Sequence, residues 1–100
     1  MSRPKLTPQI AWNLAVALYD ASGECDTRLE SVIAQDPELA YVYTIEILKK
    51  EPFPAGESAI ARDNTYAYMY AAYVVKTPED RRRFARILED YRIAQREKGK

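Results

Sequence analysis

Histidine is absent from this chain of 100 residues, and cysteine occurs once, at Cys25. Without histidine the chain lacks the usual general base at neutral pH, the usual activator of a nucleophile, and the commonest metal ligand. A lone cysteine cannot form an intrachain disulfide and is too few ligands for a structural zinc site. We therefore expect a non-enzymatic protein with no cofactor and no metal, in a reducing, cytoplasmic location.

The chain also lacks net charge and long apolar runs. Basic and acidic residues number 15 each, so no overall excess attracts nucleic acid or an anionic membrane. The charges are unevenly placed, because residues 1 to 75 carry 6 basic against 10 acidic residues and residues 76 to 100 carry 9 against 5. The longest uncharged run, residues 6 to 19, is shorter than the roughly 20 residues that span a bilayer. We expect no membrane partner.

What the chain does contain is an internal repeat. Residues 30 to 49 align without a gap with residues 57 to 76, and nine of the twenty positions are identical. Such self-similarity usually means that one supersecondary unit has been copied and stacked, because a single unit cannot bury its apolar face alone. The identical pairs are Glu30/Glu57, Ser31/Ser58, Ile33/Ile60, Ala34/Ala61, Asp36/Asp63, Ala40/Ala67, Tyr41/Tyr68, Tyr43/Tyr70 and Lys49/Lys76.

A looser third copy lies near the N-terminus, where TPQIAWNLAVALY aligns with DPELAYVYTIEIL at an offset of 29 residues. Thr7, Asp36 and Asp63 each precede a predicted helix, where a short oxygen-bearing side chain accepts from an unpaired backbone N–H. Asp36 and Asp63 could also be interpreted as a catalytic pair of carboxylates, but the capping role explains both residues without catalysis. Thr27 with Glu30 predicts a further capping box.

These signals predict one all-α domain over residues 1 to 100, a small solenoid-like bundle in which long and short helices alternate. The predicted helices cover residues 8 to 20, 27 to 35, 37 to 50, 55 to 62, 64 to 76 and 78 to 97. The repeat units are 7 to 29, 30 to 56 and 57 to 76, and the charged helix 78 to 97 closes the array. Tyrosine and valine between 66 and 75 have high strand propensity, so a hairpin there is the alternative.

Residues 30 to 76, ESVIAQDPELAYVYTIEILKKEPFPAGESAIARDNTYAYMYAAYVVK, resemble a degenerate helical repeat of bacteriophage and metagenomic proteins. The repeat has the form E-x-x-I-A-x-D-P-x-x-A-Y-x-Y-A-x-x-V-x-K-x-x-(F/W)-P-x-x-E. This chain departs from it at Thr44, which replaces alanine, and at Asn64, which replaces proline. The resemblance implies a small, phage-related accessory protein, and it carries no reaction with it.

Residues 64 to 75 contain no charge, and their side chains point in every direction around a helix. One interpretation is a central helix that neighbours enclose, with tyrosine hydroxyls at the rim. The other starts from the three predicted apolar helices, 8 to 20, 37 to 50 and 64 to 76. Their apolar surface exceeds what a domain of this size can bury, so that an aromatic face stays exposed for a protein partner. The candidate interface residues are Trp12, Tyr66, Tyr68, Met69 and Tyr73.

The last predicted helix offers a different candidate site. Arg81, Arg82, Arg83 and Arg86 are close enough in sequence to contact nucleic-acid phosphates. The same helix contains opposite charges three or four residues apart, such as Glu79 with Arg83, which is typical of a solvated helix surface.

The leading hypothesis is therefore a protein-interaction module. Its partner would be another protein or a second copy of the chain, giving a homo-oligomer. From the phage resemblance, we expect that it binds or inhibits a host protein in the host cytoplasm. The alternative is an accessory protein that binds nucleic acid through the arginine-rich helix.

Overall fold

The computed structural model describes residues 6 to 98, and within that range the chain is all-helical, as the sequence predicts. Residues 64 to 73 are helical, so the hairpin alternative is wrong. Longer and shorter helices alternate over the first five, as expected, and the sixth is the longest. The helices are α1 (Pro8–Ser22), α2 (Thr27–Ile33), α3 (Pro37–Glu46), α4 (Pro54–Ala61), α5 (Asn64–Tyr73) and α6 (Pro78–Lys98).

The starts of the repeated helices agree with the sequence prediction. Thr7, Asp36 and Asp63 cap α1, α3 and α5, and each side-chain oxygen accepts from a backbone N–H two or three residues further on. Proline occupies the first turn of α1 and α3, where a missing N–H leaves no bond unmade. Local sequence therefore determines where these helices begin.

The capping box predicted for α2 is wrong. Asp26, and not Thr27, caps this helix by accepting from the N–H of Arg28 at 2.8 Å. That backbone hydrogen bond, together with the Arg28 side chain, lowers the pKa of the Asp26 carboxyl. Glu30 is consequently free of a capping role, and it accepts a hydrogen bond from the Tyr43 hydroxyl instead, at 2.5 Å.

The ends of α3 and α5 come three or four residues earlier than predicted. In both helices, the backbone N–H two residues past the end bonds to a carbonyl five residues back, at 3.1 and 3.2 Å, which widens the last turn. Lys49 and Lys50 then adopt positive φ values of 52° and 69°, a conformation that glycine usually supplies. Because no glycine marks this turn, the end of the helix could not be predicted from local sequence.

The helices form two layers. Helices α1, α3 and α5 lie side by side in one layer, and α2, α4 and α6 lie side by side in the other. The molecule measures 43 × 37 × 19 Å, and its thin dimension matches two helices of about 10 Å each. Each unit of the repeat thus supplies one helix to each layer, so α1 and α5 are the two ends of their row.

The core lies between the layers. Ala11, Ala40 and Ala67 occupy the same position of the repeat in α1, α3 and α5, and all three are buried. The ring of Tyr43 packs on Phe53 with centroids 5.1 Å apart, and that of Tyr70 packs on Phe84 at 4.8 Å. Small residues let the helix backbones approach, and the aromatic pairs fill the remaining space.

Candidate interaction surface

The outward face of α5 carries two exposed tyrosines. Ala67 and Tyr70 point into the molecule, whereas Tyr68 is 76% exposed and Tyr73 is 55% exposed. Ala71 and Ala72 are also exposed. Because Tyr68 and Tyr73 are five residues apart, they project about 140° apart around the helix, and Tyr73 lies on the side of α3, near Tyr41. Since α5 ends its row, α3 covers one side of the helix and no helix of residues 6 to 98 covers the other. The interpretation of α5 as a fully enclosed central helix is therefore wrong.

The five predicted interface residues do not form one patch. Tyr68 and Tyr73 are exposed, while Tyr66 and Met69 on the same helix are partly buried. Trp12 is also partly buried, but it lies on α1 at the other end of the row. There it lines an open depression with residues of α1 and α3, among them Val16, Tyr19, Val42 and Ile47. The intervening α3 separates Trp12 from the α5 face.

Tyr66 belongs to the contact between α3 and α5. Its ring centroid lies 5.6 Å from that of Tyr41, and the two rings are tilted by 40°. Partial burial raises the pKa of the Tyr66 hydroxyl, and the negative charge of Glu38 raises it further. Tyr66 is thus engaged inside the molecule, and Tyr68 and Tyr73 are the side chains left for a partner.

A buried hydrogen-bond network lies beneath this face. The Tyr70 hydroxyl donates to a carboxylate oxygen of Glu57 at 2.5 Å and accepts from the backbone N–H of Phe53 at 3.0 Å. Arg83 donates to both carboxylate oxygens of Glu57, each at 2.8 Å. Glu57 is fully buried. A buried carboxylate with a bidentate guanidinium and a phenol is a satisfied structural group.

The same pair recurs one repeat earlier. Tyr43 donates to Glu30 at 2.5 Å, and in both units the two residues are 13 positions apart. Burial and then the carboxylate raise the pKa of both hydroxyls. Sequence reasoning placed the Tyr70 hydroxyl at the rim and missed this pairing. The signal was present, because both members are among the identities of the repeat.

The arginines of α6 divide into two groups. Arg81, Arg82 and Arg86 are exposed. Arg83 is held by the buried Glu57 and by Asp80, whose carboxylate lies 2.8 Å away, so the expected pairing with Glu79 is replaced. The hydrogen bonds that Arg83 donates to Glu57 are the largest cause of the raised Arg83 pKa. Three of the four candidate phosphate-binding side chains are therefore accessible.

An open concavity lies on the opposite layer, between α2, α4 and α6. It has a volume of about 740 Å³, is open to solvent, and is lined by small and polar residues together with Ile87 and Tyr91. Residues 6 to 98 contain no group of three or more acidic or thiol side chains placed to hold a metal ion. In the same range, no helix combines the length and the apolar character needed to cross a bilayer.

Comparison with protein-family models, with curated proteins and with solved structures finds no match to this chain. The geometry of its own side chains is what remains to indicate a function.

Proposed function

We propose that this chain is a non-enzymatic protein-interaction module whose contact surface is the outward face of α5. The observation that carries the proposal is the exposure of two large aromatic side chains, Tyr68 at 76% and Tyr73 at 55%, on a helix without charged residues. Tyrosine is enriched among the residues that contribute most to protein–protein binding, because its ring offers a large rigid area and its hydroxyl a hydrogen bond.

The titratable groups support a binding role over catalysis. The Glu57 carboxylate is fully buried and is occupied by Arg83 and Tyr70. Asp36 and Asp63, the tempting carboxylate pair, are occupied as helix caps. No buried polar side-chain atom in the described residues lacks a hydrogen-bond partner.

The resemblance to phage repeats is the basis for one extension of the proposal. On that basis the module is a phage-type accessory protein that binds or inhibits a host protein in the host cytoplasm.

The test compares three forms of the immobilised protein. The surface variant is Tyr68→Ser with Tyr73→Ser, and the matched control is Ile93→Ser, which removes an exposed apolar side chain from α6. We expect the wild type and the control to retain the same identified protein from a host lysate, and the surface variant to lose it. Circular dichroism checks that all three are folded. Equal retention by the surface variant would contradict the proposal.

A second candidate function is binding of nucleic acid through α6, favoured by the exposure of Arg81, Arg82 and Arg86. Phosphate contacts of this kind weaken steeply as salt rises and do not depend on base sequence. Replacing these three arginines by glutamate should then abolish binding of a mixed-sequence DNA duplex, while the serine variant of α5 binds it normally. An arginine variant that still captures the protein partner would separate the two functions.

A further inference from the structure

The two ends of the first helix layer carry the two halves of a contact that is already made inside the molecule. Between α3 and α5 that contact includes Tyr41 and Tyr66, with ring centroids 5.6 Å apart. Because α1, α3 and α5 are copies of one unit, α1 exposes the repeat positions that α5 turns toward α3. Likewise, α5 exposes the repeat positions that α3 turns toward α5.

The position of Tyr41 is taken by Trp12 in α1 and by Tyr68 in α5. Trp12 and Tyr41 each have a following helix in the row and are partly buried. Tyr68 has none among the described residues, and it is 76% exposed. Tyr68 is thus exposed because no further helix packs on that side of α5 among the described residues.

The position of Tyr66 is taken by Leu39 in α3 and by Ile10 in α1. Leu39 and Tyr66 each have a preceding helix in the row and are partly buried, whereas Ile10 is 42% exposed. Leu14, which corresponds to the buried Tyr43, is 50% exposed. Among residues 6 to 98, the edge of α1 therefore has no preceding helix packed against it.

The charges at the two edges favour their association. Within the helices, both edges are uncharged over the contact positions, so bringing them together buries no unpaired charge. The nearest charges at the C-terminal ends are Asp20 on α1 and Lys76 after α5, which occupy the same position of the repeat and have opposite signs. Asp20 lies in the last turn of α1 and Lys76 lies just past the end of α5, so these charges are at the C-terminal ends of the two edges.

We propose that the α5 face binds the α1 edge of a second copy of this chain, so that copies join head to tail in the register that joins α3 to α5. This inference rests on the proposed function and names its partner. The contact places Tyr68 of one copy against Ile10 of the next. Since the two surfaces differ, the contact is heterologous, and each added copy leaves one free edge of each kind. The assembly grows beyond a dimer until a ring closes or the chain of copies breaks.

The test uses two complementary variants. In the α1-edge variant, Ile10 and Leu14 become glutamate, and in the α5-edge variant, Tyr68 and Ala72 become glutamate. All four side chains are exposed, so each variant should fold, which circular dichroism and thermal melting check. The matched control is Ala55→Glu, which adds the same charge to an exposed position on the central helix α4. Should either variant melt early, the glutamine versions of the same substitutions replace it.

Sedimentation velocity and light scattering measure the mass from micromolar to millimolar concentration. We expect the wild type and the control to pass from the single-chain mass of 11.5 kDa to species larger than a dimer. Each edge variant alone should stay monomeric. A mixture of the two retains one intact edge of each kind, so it should form a one-to-one pair and nothing larger.

Two results would overturn the head-to-tail contact. An α1-edge variant that still associates would show that α5 faces pair with each other, and a wild type that stays monomeric throughout would show that copies do not join. In either case, loss of a captured protein on replacing Tyr68 and Tyr73 by serine would leave the interaction function standing. If the wild type is monomeric and the serine variant captures the same proteins as the wild type, both the head-to-tail contact and the proposed interaction function are wrong.

Discussion

One position of the repeat illustrates how the environment of a residue decides its chemistry. It is occupied by Leu14 in α1, Tyr43 in α3 and Tyr70 in α5. Both tyrosines are buried, and each donates its hydroxyl proton to a carboxylate on the preceding short helix. Among the described residues α1 has no preceding helix, and the position is an exposed leucine. A buried phenol needs an acceptor, and the repeat supplies the carboxylate only where it also supplies the helix.

Removing each hydroxyl in turn should give unequal losses of stability. Tyr70→Phe leaves the buried N–H of Phe53 without an acceptor and Glu57 without one donor, so we expect it to lower the free energy of unfolding by about 2 kcal/mol. Tyr43→Phe should cost about 1 kcal/mol or less, because its acceptor Glu30 is only partly buried and water can replace the hydroxyl. Urea unfolding followed by circular dichroism gives both values, and equal losses would contradict this ranking.

The same two tyrosines should make the fold sensitive to alkali. Burial and the neighbouring carboxylates raise the pKa of Tyr43 and Tyr70 above the value of about 10 for an unfolded tyrosine. A raised folded-state pKa means that the stabilisation is complete below pH 10. It is lost progressively as the pH rises above 10 toward the folded-state values.

Urea unfolding at a series of pH values from 8 upward measures this dependence. The wild type should lose stability above pH 10, and the double variant Tyr43→Phe with Tyr70→Phe should lose less over the same interval. Parallel curves for the two proteins would mean that other groups cause the alkaline transition.

At the scale of helices, the first turn of α4 is closely packed. A Cβ added at Gly56 would lie 2.6 and 2.8 Å from ring carbons of Phe53 and 3.0 Å from the Cβ of Ala40. Phe53 is buried against Tyr43 and cannot easily move away. Glycine here is therefore required first by the Phe53 ring and then by the close approach of Ala40 in α3, although a helix interior would favour alanine.

Gly56→Ala should accordingly destabilise the protein. Alanine gains about 1 kcal/mol of helix propensity over glycine, but overpacking costs about 1 to 3 kcal/mol, so we expect a net loss of up to about 2 kcal/mol. Ser58→Ala, on the exposed side of the same helix, should be neutral or slightly stabilising. Thermal melting of the two variants gives the comparison, and a stabilised Gly56→Ala would show that the Phe53 ring can yield.

The features that could be predicted from this sequence are those set by residues close together in the chain. Features that depend on contacts between distant residues could not be predicted. Thr7, Asp36 and Asp63 act on backbone groups two or three residues away, so their caps could be inferred. The turn at Lys49 and Lys50 is held in a conformation that neither residue prefers. The contact of Arg83 with Glu57 spans 26 positions. Such features depend on which helices become neighbours, which spacing along the chain does not reveal.

At the scale of the whole molecule, the stability of each helix depends on how many helices pack beside it. In a stacked array, each helix is stabilised mainly by those on either side, so the ends open first. Helices α3 and α4 have neighbours on both sides within their layers, whereas α1 has only one. In the second half of α6, from Glu89 to Lys98, only Tyr91 is partly buried and the other residues are exposed.

Amide hydrogen exchange should therefore be graded across the molecule. At low concentration we expect the slowest exchange in α3 and α4, close to the limit set by global unfolding. Faster exchange is expected in α1, and the fastest in the second half of α6. Exchange followed by mass spectrometry of peptide fragments resolves these segments. If α1 were as protected as α3 in the monomer, the molecule would unfold as one cooperative unit, and the exposed edge would not be its weak end. If α1 and α5 become more protected as the concentration rises while the end of α6 does not, the added protection arises where copies meet, because only those two edges gain a neighbour.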